Sequence, residues 1–175
     1  MEGIRTATVL VADDVASAGP AERERRRGVA GLVYCYKIAG AMAERLASLD
    51  EVTAMAQRAA DACRSVGVAL TPCVVPAAGR PTFQLGEDEM EIGMGIHGEP
   101  GVRRGRLRRA DEVVEDMLGM LLEDMPLRRG DRVSVLCNSL GTSMEMAGMS
   151  ITFCKLDAEL EALLAAPCDC PFLKV

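Results

Sequence analysis

Tryptophan is absent from this chain, and Phe and Tyr together make up only 3% of it. Any core must therefore be filled by Val, Leu, Ile, Ala and eleven Met, a set that packs adaptably. A basic excess is also missing: the net charge is −6 and the isoelectric point lies near 4.9. A protein built to follow a phosphate backbone needs a basic stripe, so nucleic acid is not expected as a partner. The two arginine clusters, Arg23 with Arg25 to Arg27 and Arg103 to Arg109, carry no interleaved aromatic residues that could stack bases, and read as solvated faces or phosphate contacts. There is no long apolar run or secretory leader, and the seven cysteines follow no secreted-domain spacing; a reduced, cytoplasmic protein with no membrane partner is expected. No GxxxxGK[ST] loop occurs, so the chain has no segment of the form that holds ATP by itself.

What is present reads as interleaved helices and strands, hence α/β or α+β with mixed pairing. Thr6 to Ala12, rich in β-branched residues and ending at Asp13-Asp14, suggests a buried strand, and Ser17 to Arg27 a polar loop. Small residues from Gly28 to Leu46 suit a helix packed closely on a sheet. Ser48 with Glu51 has the form of a capping box and predicts a helix from about Leu49 to Val66, with a short strand at Val68 to Leu70. Alternation over the second half of Glu87 to Ile96 predicts a strand that delivers His97 at its end. The carboxylates at 87, 88, 89 and 91 read as a solvated strand entry. Apolar spacing predicts a helix over Asp111 to Glu123, buried strands at Val133 to Cys137 and Ser150 to Leu156, and a short helix over Ala158 to Leu164.

His97 is the only histidine. It stands in Gly95-Ile96-His97-Gly98-Glu99-Pro100-Gly101, with a further glycine at 93. Such glycines permit unusual backbone angles and close approach of a ligand, so the imidazole reads as presented rather than packed. It could carry protons, ligate a metal or attack a carbonyl carbon, and a purely structural hydrogen-bonding role also stays open at this point. A metal site lacks a second histidine. The Gly93-x-Gly95-x-x-Gly98 pattern matches a dinucleotide loop in letters only, because no helix opens directly after it.

Taken together, Pro76, Pro81-Thr82-Phe83, Leu85, Asp88-Glu89-Met90-Glu91 and Gly93 to Val102 resemble the dihydroxyacetone-binding subunit of dihydroxyacetone kinases. The likeness continues in Arg27 to Gly31, Lys37 to Ala41, Gly67 to Leu70, Gly130 to Val133 and Ser143 to Thr152, nearly the whole chain. It implies an α/β fold, a mixed sheet with flanking helices forming the C-terminal part of a two-lobed substrate-binding fold. Residues 1–46 would be the remains of one lobe and 47–175 the shortened histidine-bearing lobe. It implies that His97 holds dihydroxyacetone, or a related triose, as a hemiaminal, with Gly95, Gly98, Glu99, Asn138 and Gly141 at the substrate and Gly101 shaping the loop. It implies a phosphotransferase, with a homodimer as the assembly and a nucleotide-binding kinase subunit or domain as partner. No cofactor or metal would sit on this chain; ATP with magnesium, or phosphotransferase-system phosphate, would come through the partner.

Three departures from the family pattern stand out. The family's N-terminal portion, with its Gly-rich substrate loop and the aspartate and histidine that assist the hydroxyl, is not in this sequence. Between Leu140-Gly141 and Thr142-Ser143 the family carries several tens of residues, a helix and a strand, that are missing here, so that sheet is expected to be rearranged or incomplete. Tyr36 stands where relatives often have histidine. A kinase component, a triose-sensing or regulatory module without kinase activity, and an inactive fragment are the three functional readings these residues allow.

Overall fold

The structure is a computed structural model describing residues 3–72, 81, 83–95, 99–143 and 146–169. Its centre is a five-stranded antiparallel sheet in the order β3-β2-β1-β5-β4. The strands are β1 (Cys63–Ala69), β2 (Glu89–Ile92), β3 (Arg103–Arg106), β4 (Arg132–Ser143) and β5 (Met146–Leu156). Helices α1 (Gly31–Glu44), α2 (Leu49–Asp61) and α4 (Ala158–Leu164) cover one face, and α3 (Ala110–Asp124) covers part of the other.

Two cores result. Tyr34, Ile38, Met55, Ala59, Cys63, Cys154, Leu160 and Leu163 fill the first, so α1, from the first quarter of the chain, shares its interior with α2 and α4. Val66, Val68, Met90, Ile92, Met117, Leu121, Ile151 and Phe153 fill the second, beneath α3. β1 is buried along its whole length because it lies between β2 and β5 with helices above and below.

Local chemistry sets most boundaries. The Ser48 hydroxyl accepts from Glu51 N at 3.3 Å while the Glu51 carboxylate accepts from Ser48 N at 2.8 Å, the expected capping box, typically worth about 1 kcal/mol. α2 nevertheless stops at Asp61, five residues short of expectation, and β1 starts at Cys63. A strand buried on both faces need not show period-two alternation, and no Gly or Pro breaks the run before Gly67, so its first half reads as a continuation of the helix. Asp157 caps α4 by accepting from Glu159 N and Leu160 N, and this helix has the expected bounds.

Several expectations change. Thr6 to Ala12 is not a buried strand: apart from one parallel bridge, Asp14 to Ser65, the segment has no ladder, and Leu10 is 79% exposed. Val9 and Val11 alone turn inward, onto the α1–α2–α4 core. The loop before α1 contains a 3-10 turn over Pro20–Arg25, and Arg26 is buried rather than solvated. β3, an exposed arginine-rich strand, had no apolar pattern to announce it. β4 is an edge strand, half-exposed where burial was expected. The Pro-rich stretch at 73–80 lies outside the described residues.

The Arg26 side chain is buried because Asp124, the last residue of α3, receives it. Arg26 Nη2 and Nη1 approach the two carboxylate oxygens at 2.6 and 3.1 Å, Arg23 adds a contact at 3.2 Å, and Arg64 of β1 donates through Nε. Asp124 is only 5% exposed, and its arginine partners, Arg26 first, pull its carboxyl down to about 2. The network pins the 3-10 turn and β1 to the end of α3. A carboxyl depressed from 3.8 to about 2 contributes roughly 2 kcal/mol that is complete above pH 4 and lost as pH falls through 2. Asp124→Asn should lower stability by about 3–5 kcal/mol at pH 7, because two buried guanidinium groups lose their counter-charge, and should flatten the acid limb of a denaturation profile. Urea melts at pH 7 and pH 3 check both.

Cys35, Cys63 and Cys154 are buried, and burial pushes the Cys35 thiol up to about 11. Cys63 and Cys154 face each other across the β1–β5 ladder, and hydrogen bonding to Cys154 together with burial raises the Cys63 thiol further. Native-state alkylation followed by peptide mapping should modify exposed Cys137 of β4 and leave these three untouched until the fold is opened.

Candidate functional site

The segment bearing the sole histidine leaves the sheet at the end of β2, and the described residues on either side of it are tightly held. Gly93 turns the chain with φ +82°, a region that costs any side chain strain, and an added Cβ would lie 2.7 Å from that of Ala16. Its N–H donates to Gly67 O at 2.7 Å, so the turn rests on β1. Its carbonyl accepts from Arg27 Nη2 at 2.5 Å.

Arg27 is itself fixed. Its Nε and Nη2 lie 2.9 and 2.7 Å from Asp14 Oδ2, and its backbone carbonyl accepts from Asp14 N at 3.1 Å. Burial pushes the Asp14 carboxyl above its ordinary value, against the opposing pull of Arg27. Beside it, Asp13 accepts from Val29 N at 2.7 Å, Gly31 N at 2.8 Å and the Ser65 hydroxyl, which in turn meets Thr152 Oγ1 at 2.6 Å. Two adjacent carboxylates thus join the N-terminal segment to the start of α1, to β1 and β5, and, through Arg27, to the histidine loop.

The loop is also closed on itself. Gly95 N–H donates to Glu99 O at 3.1 Å, so the chain enters and leaves the 96–98 segment at one hydrogen bond. A Cβ at Gly95 would overlap the Glu99 carboxylate and sit 2.9 Å from Arg27 Nη1; only glycine lets those two groups stand against the backbone here. Farther on, Gly101 N–H donates to the Glu91 carboxylate, and Val102 N–H donates to Ile92 O at 2.9 Å. Glu91, expected in a solvated strand entry, is instead 4% exposed and paired with Arg104 at 2.6 Å.

Of the residues singled out in the sequence, Gly95, Glu99 and Gly101 therefore come together, while His97 and Gly98 lie outside the described residues. Asn138 and Gly141 stand on β4, with β5 and β1 between them and β2, about 14 Å across three inter-strand spacings. Asn138 shares a level with the loop, since it pairs with Ser150, Ser150 with Gly67, and Gly67 accepts from Gly93; Gly141 falls in the irregular stretch between Ser139 and Thr142. The Ser150 hydroxyl in that row is buried without a hydrogen-bond partner among the described residues. A cleft of about 560 Å³ between the N-terminal segment and α2, lined by Leu10, Gln57, Asp61 and Arg64, includes no loop residue. Among the described residues no group of three or more His, Cys, Asp or Glu could hold a metal ion.

Asp14, Arg27 and Glu91 are the parts of this site that sequence reasoning missed. The adjacent Asp13-Asp14 pair after a β-branched run was the available signal for the first. For Glu91 the signal is its register opposite Arg104, which only strand pairing reveals.

The architecture and sequence match known proteins closely. The chain is 41% identical over 208 aligned positions to the PTS-dependent dihydroxyacetone kinase 2, dihydroxyacetone-binding subunit DhaK, of Listeria innocua, covering 99% of this chain and 62% of that protein. Among solved structures, it superposes on the dihydroxyacetone kinase operon co-activator Dha-DhaQ with a TM-score of 0.84 at 27% identity, covering 95% of this chain and 62% of that one. On the dihydroxyacetone kinase of C. freundii the TM-score is 0.77 at 29% identity, covering 91% of this chain and 34% of that one. The chain thus spans less than two thirds of the length of these relatives. The Dak1 domain model matches residues 1–142, well over half of the sequence, and the chain belongs to the Dak1 domain family.

Proposed function

We propose that this chain is the dihydroxyacetone-binding component of a dihydroxyacetone kinase and holds its substrate covalently on His97. The observation that carries the reading is the double anchoring of the histidine loop, by Arg27 on Gly93 and by the Gly95–Glu99 bond, on a chain 41% identical to a dihydroxyacetone-binding subunit. A reactive side chain on a loop is useful only if its backbone is held still.

One imidazole nitrogen adds to the keto carbon, the carbonyl π pair moves to oxygen and takes up a proton, and the other ring nitrogen releases one. The product is a neutral hemiaminal, formed without a leaving group. Glycerol has no carbonyl to attack and is rejected at this step. The terminal hydroxyl then accepts a phosphoryl group from ATP with magnesium, or from phosphotransferase-system phosphate, held by a partner domain or subunit in the cytoplasm. This chain's own contribution is capture and orientation. Glu99, beside Gly95 and Arg27, faces the loop's entry and suits orienting the imidazole; Asn138 and Gly141 would contribute from the far side of the sheet. No described helix is long and apolar enough to cross a membrane.

A second reading rests on the co-activator match: a triose-binding module whose loaded form is recognised by another protein. Both readings require capture; only the first requires phosphoryl transfer.

Intact-protein mass spectrometry after incubation with dihydroxyacetone and rapid quench should show a triose-sized increment that His97→Ala abolishes without unfolding the protein. Absence of the increment, with a full-length relative captured in parallel, would overturn the covalent reading. Arg27→Met should leave the circular dichroism spectrum unchanged but weaken capture at least tenfold, because the loop loses one of its anchors. Addition of a nucleotide-binding kinase subunit and ATP then separates the readings: formation of dihydroxyacetone phosphate supports the kinase component, and capture without turnover supports the sensor.

A further inference from the structure

Along α1 runs a groove of about 730 Å³, walled on its other side by Pro167, Cys168 and Asp169 after α4. Its helical wall is the stripe Lys37, Gly40, Ala41 and Glu44, at positions i, i+3, i+4 and i+7, with Tyr36 beside it. Lys37 and Glu44 therefore stand two turns apart, about 10 Å along the axis. None of these residues takes part in holding the histidine loop.

Two features of this wall are unexplained by the fold. Lys37 is only 6% exposed, and its Nζ donates to the Ala166 carbonyl. That neutral oxygen is the one partner of the ammonium among the described residues, and no carboxylate there pairs with it. A buried charge answered by a single neutral dipole is costly unless an opposite charge reaches it. Gly40 sits in the third turn of a 14-residue helix, where glycine is less stable than alanine, yet an added Cβ would meet nothing within 4 Å. Neither packing nor a positive φ asks for glycine at this position, and what the missing side chain leaves is open groove.

Charge selects the ligand. Lys37 lies buried at one end of the stripe, whereas Glu44 at the other end and Asp169 on the opposite wall are exposed, so one cation faces two anions and the lining is negative by one. A phosphate dianion would meet that excess with like charge. A molecule with a carboxylate at one end and an ammonium at the other meets each group with its opposite. We propose that this groove binds a small amino acid or related amino-carboxylate, its carboxylate on Lys37 and its ammonium toward Glu44 and Asp169. Tyr36, 73% exposed, offers a ring for the ligand's aliphatic part to lie against. The site is independent of triose capture on His97.

NMR titration of the 175-residue chain with 4-aminobutanoate and with 6-aminohexanoate, which hold the two charges at different separations, should give saturable shifts at constant ionic strength for at least one of them. The shifts should fall on the amides of 36–44 and 166–169. Butanoate or hexanoate, which lack the ammonium, and hexylamine, which lacks the carboxylate, should bind at least tenfold more weakly. Gly40→Leu should abolish binding with an unchanged circular dichroism spectrum. Lys37→Met should weaken binding at least tenfold, and Glu44→Gln should weaken the amino-carboxylate while tightening the plain carboxylate. Absence of a saturable shift with either amino-carboxylate would overturn the proposal. So would binding that survives Gly40→Leu, or inorganic phosphate binding as tightly as the amino-carboxylate. Should Lys37→Met unfold the chain through loss of its tie to Ala166, Gly40→Leu and Glu44→Gln decide.

Discussion

The pair of buried carboxylates at Asp13 and Asp14 is the constraint on which the rest of this structure depends. A buried carboxylate is costly unless its oxygens are fully used, and here each is used to join elements distant in sequence. Asp13 spends its lone pairs on two N–H groups at the start of α1 and on the Ser65 hydroxyl, so the helix start, β1 and, through Thr152, β5 share one polar centre. Asp14 spends its own on Arg27 and on Ala16 N. The guanidinium then has donors left for the Gly93 carbonyl, and the histidine loop inherits the position of the sheet. Precision at the loop is therefore set by an ion pair in the N-terminal fifth of the chain rather than by contacts within the loop alone.

The Ser48–Glu51 cap and the apolar spacing of α3 were legible in the sequence, because each is a local rule that a few neighbouring residues satisfy. A strand before the histidine loop was legible too, but alternation put it in the second half of Glu87 to Ile96, whereas β2 ends at Ile92 and the chain turns at Gly93. What was not legible depends on pairing. The first half of β1, Cys63 to Val66, reads as helix because no Gly or Pro breaks the run before Gly67, and its strand character comes from pairing with β5. Glu91 and Arg26 read as solvent-facing because charge is the only local cue, whereas their burial is decided by Arg104 and Asp124 arriving from elsewhere. Thr6 to Ala12 shows the converse error. Its composition is that of a strand, yet a strand needs a neighbour, and only Asp14 finds one.

The candidate site divides in the same way. The motif around His97, met in one continuous stretch, pointed to the family, and the Dak1 domain match over residues 1–142 bears that out. The supports that make such a loop usable, Asp14 with Arg27 and the Glu91–Gly101 bond, come from three separate segments and were invisible until folded. Asn138 and Gly141 could be named from the sequence but not located, and the sheet places both on β4, three strands away, with Asn138 level with the loop.

That placement links the two ends of the sheet. The row from Gly93 through Gly67 and Ser150 to Asn138 runs unbroken from the histidine loop to the open edge of β4. Hydrogen bonds across a sheet resist shear, so ordering one end of such a row restrains the other. From Val133 to Ser143 that edge carries no charge, on a chain with 46 charged residues. Its position at the end of the row that reaches the loop puts that edge on the same level of the sheet as the candidate site.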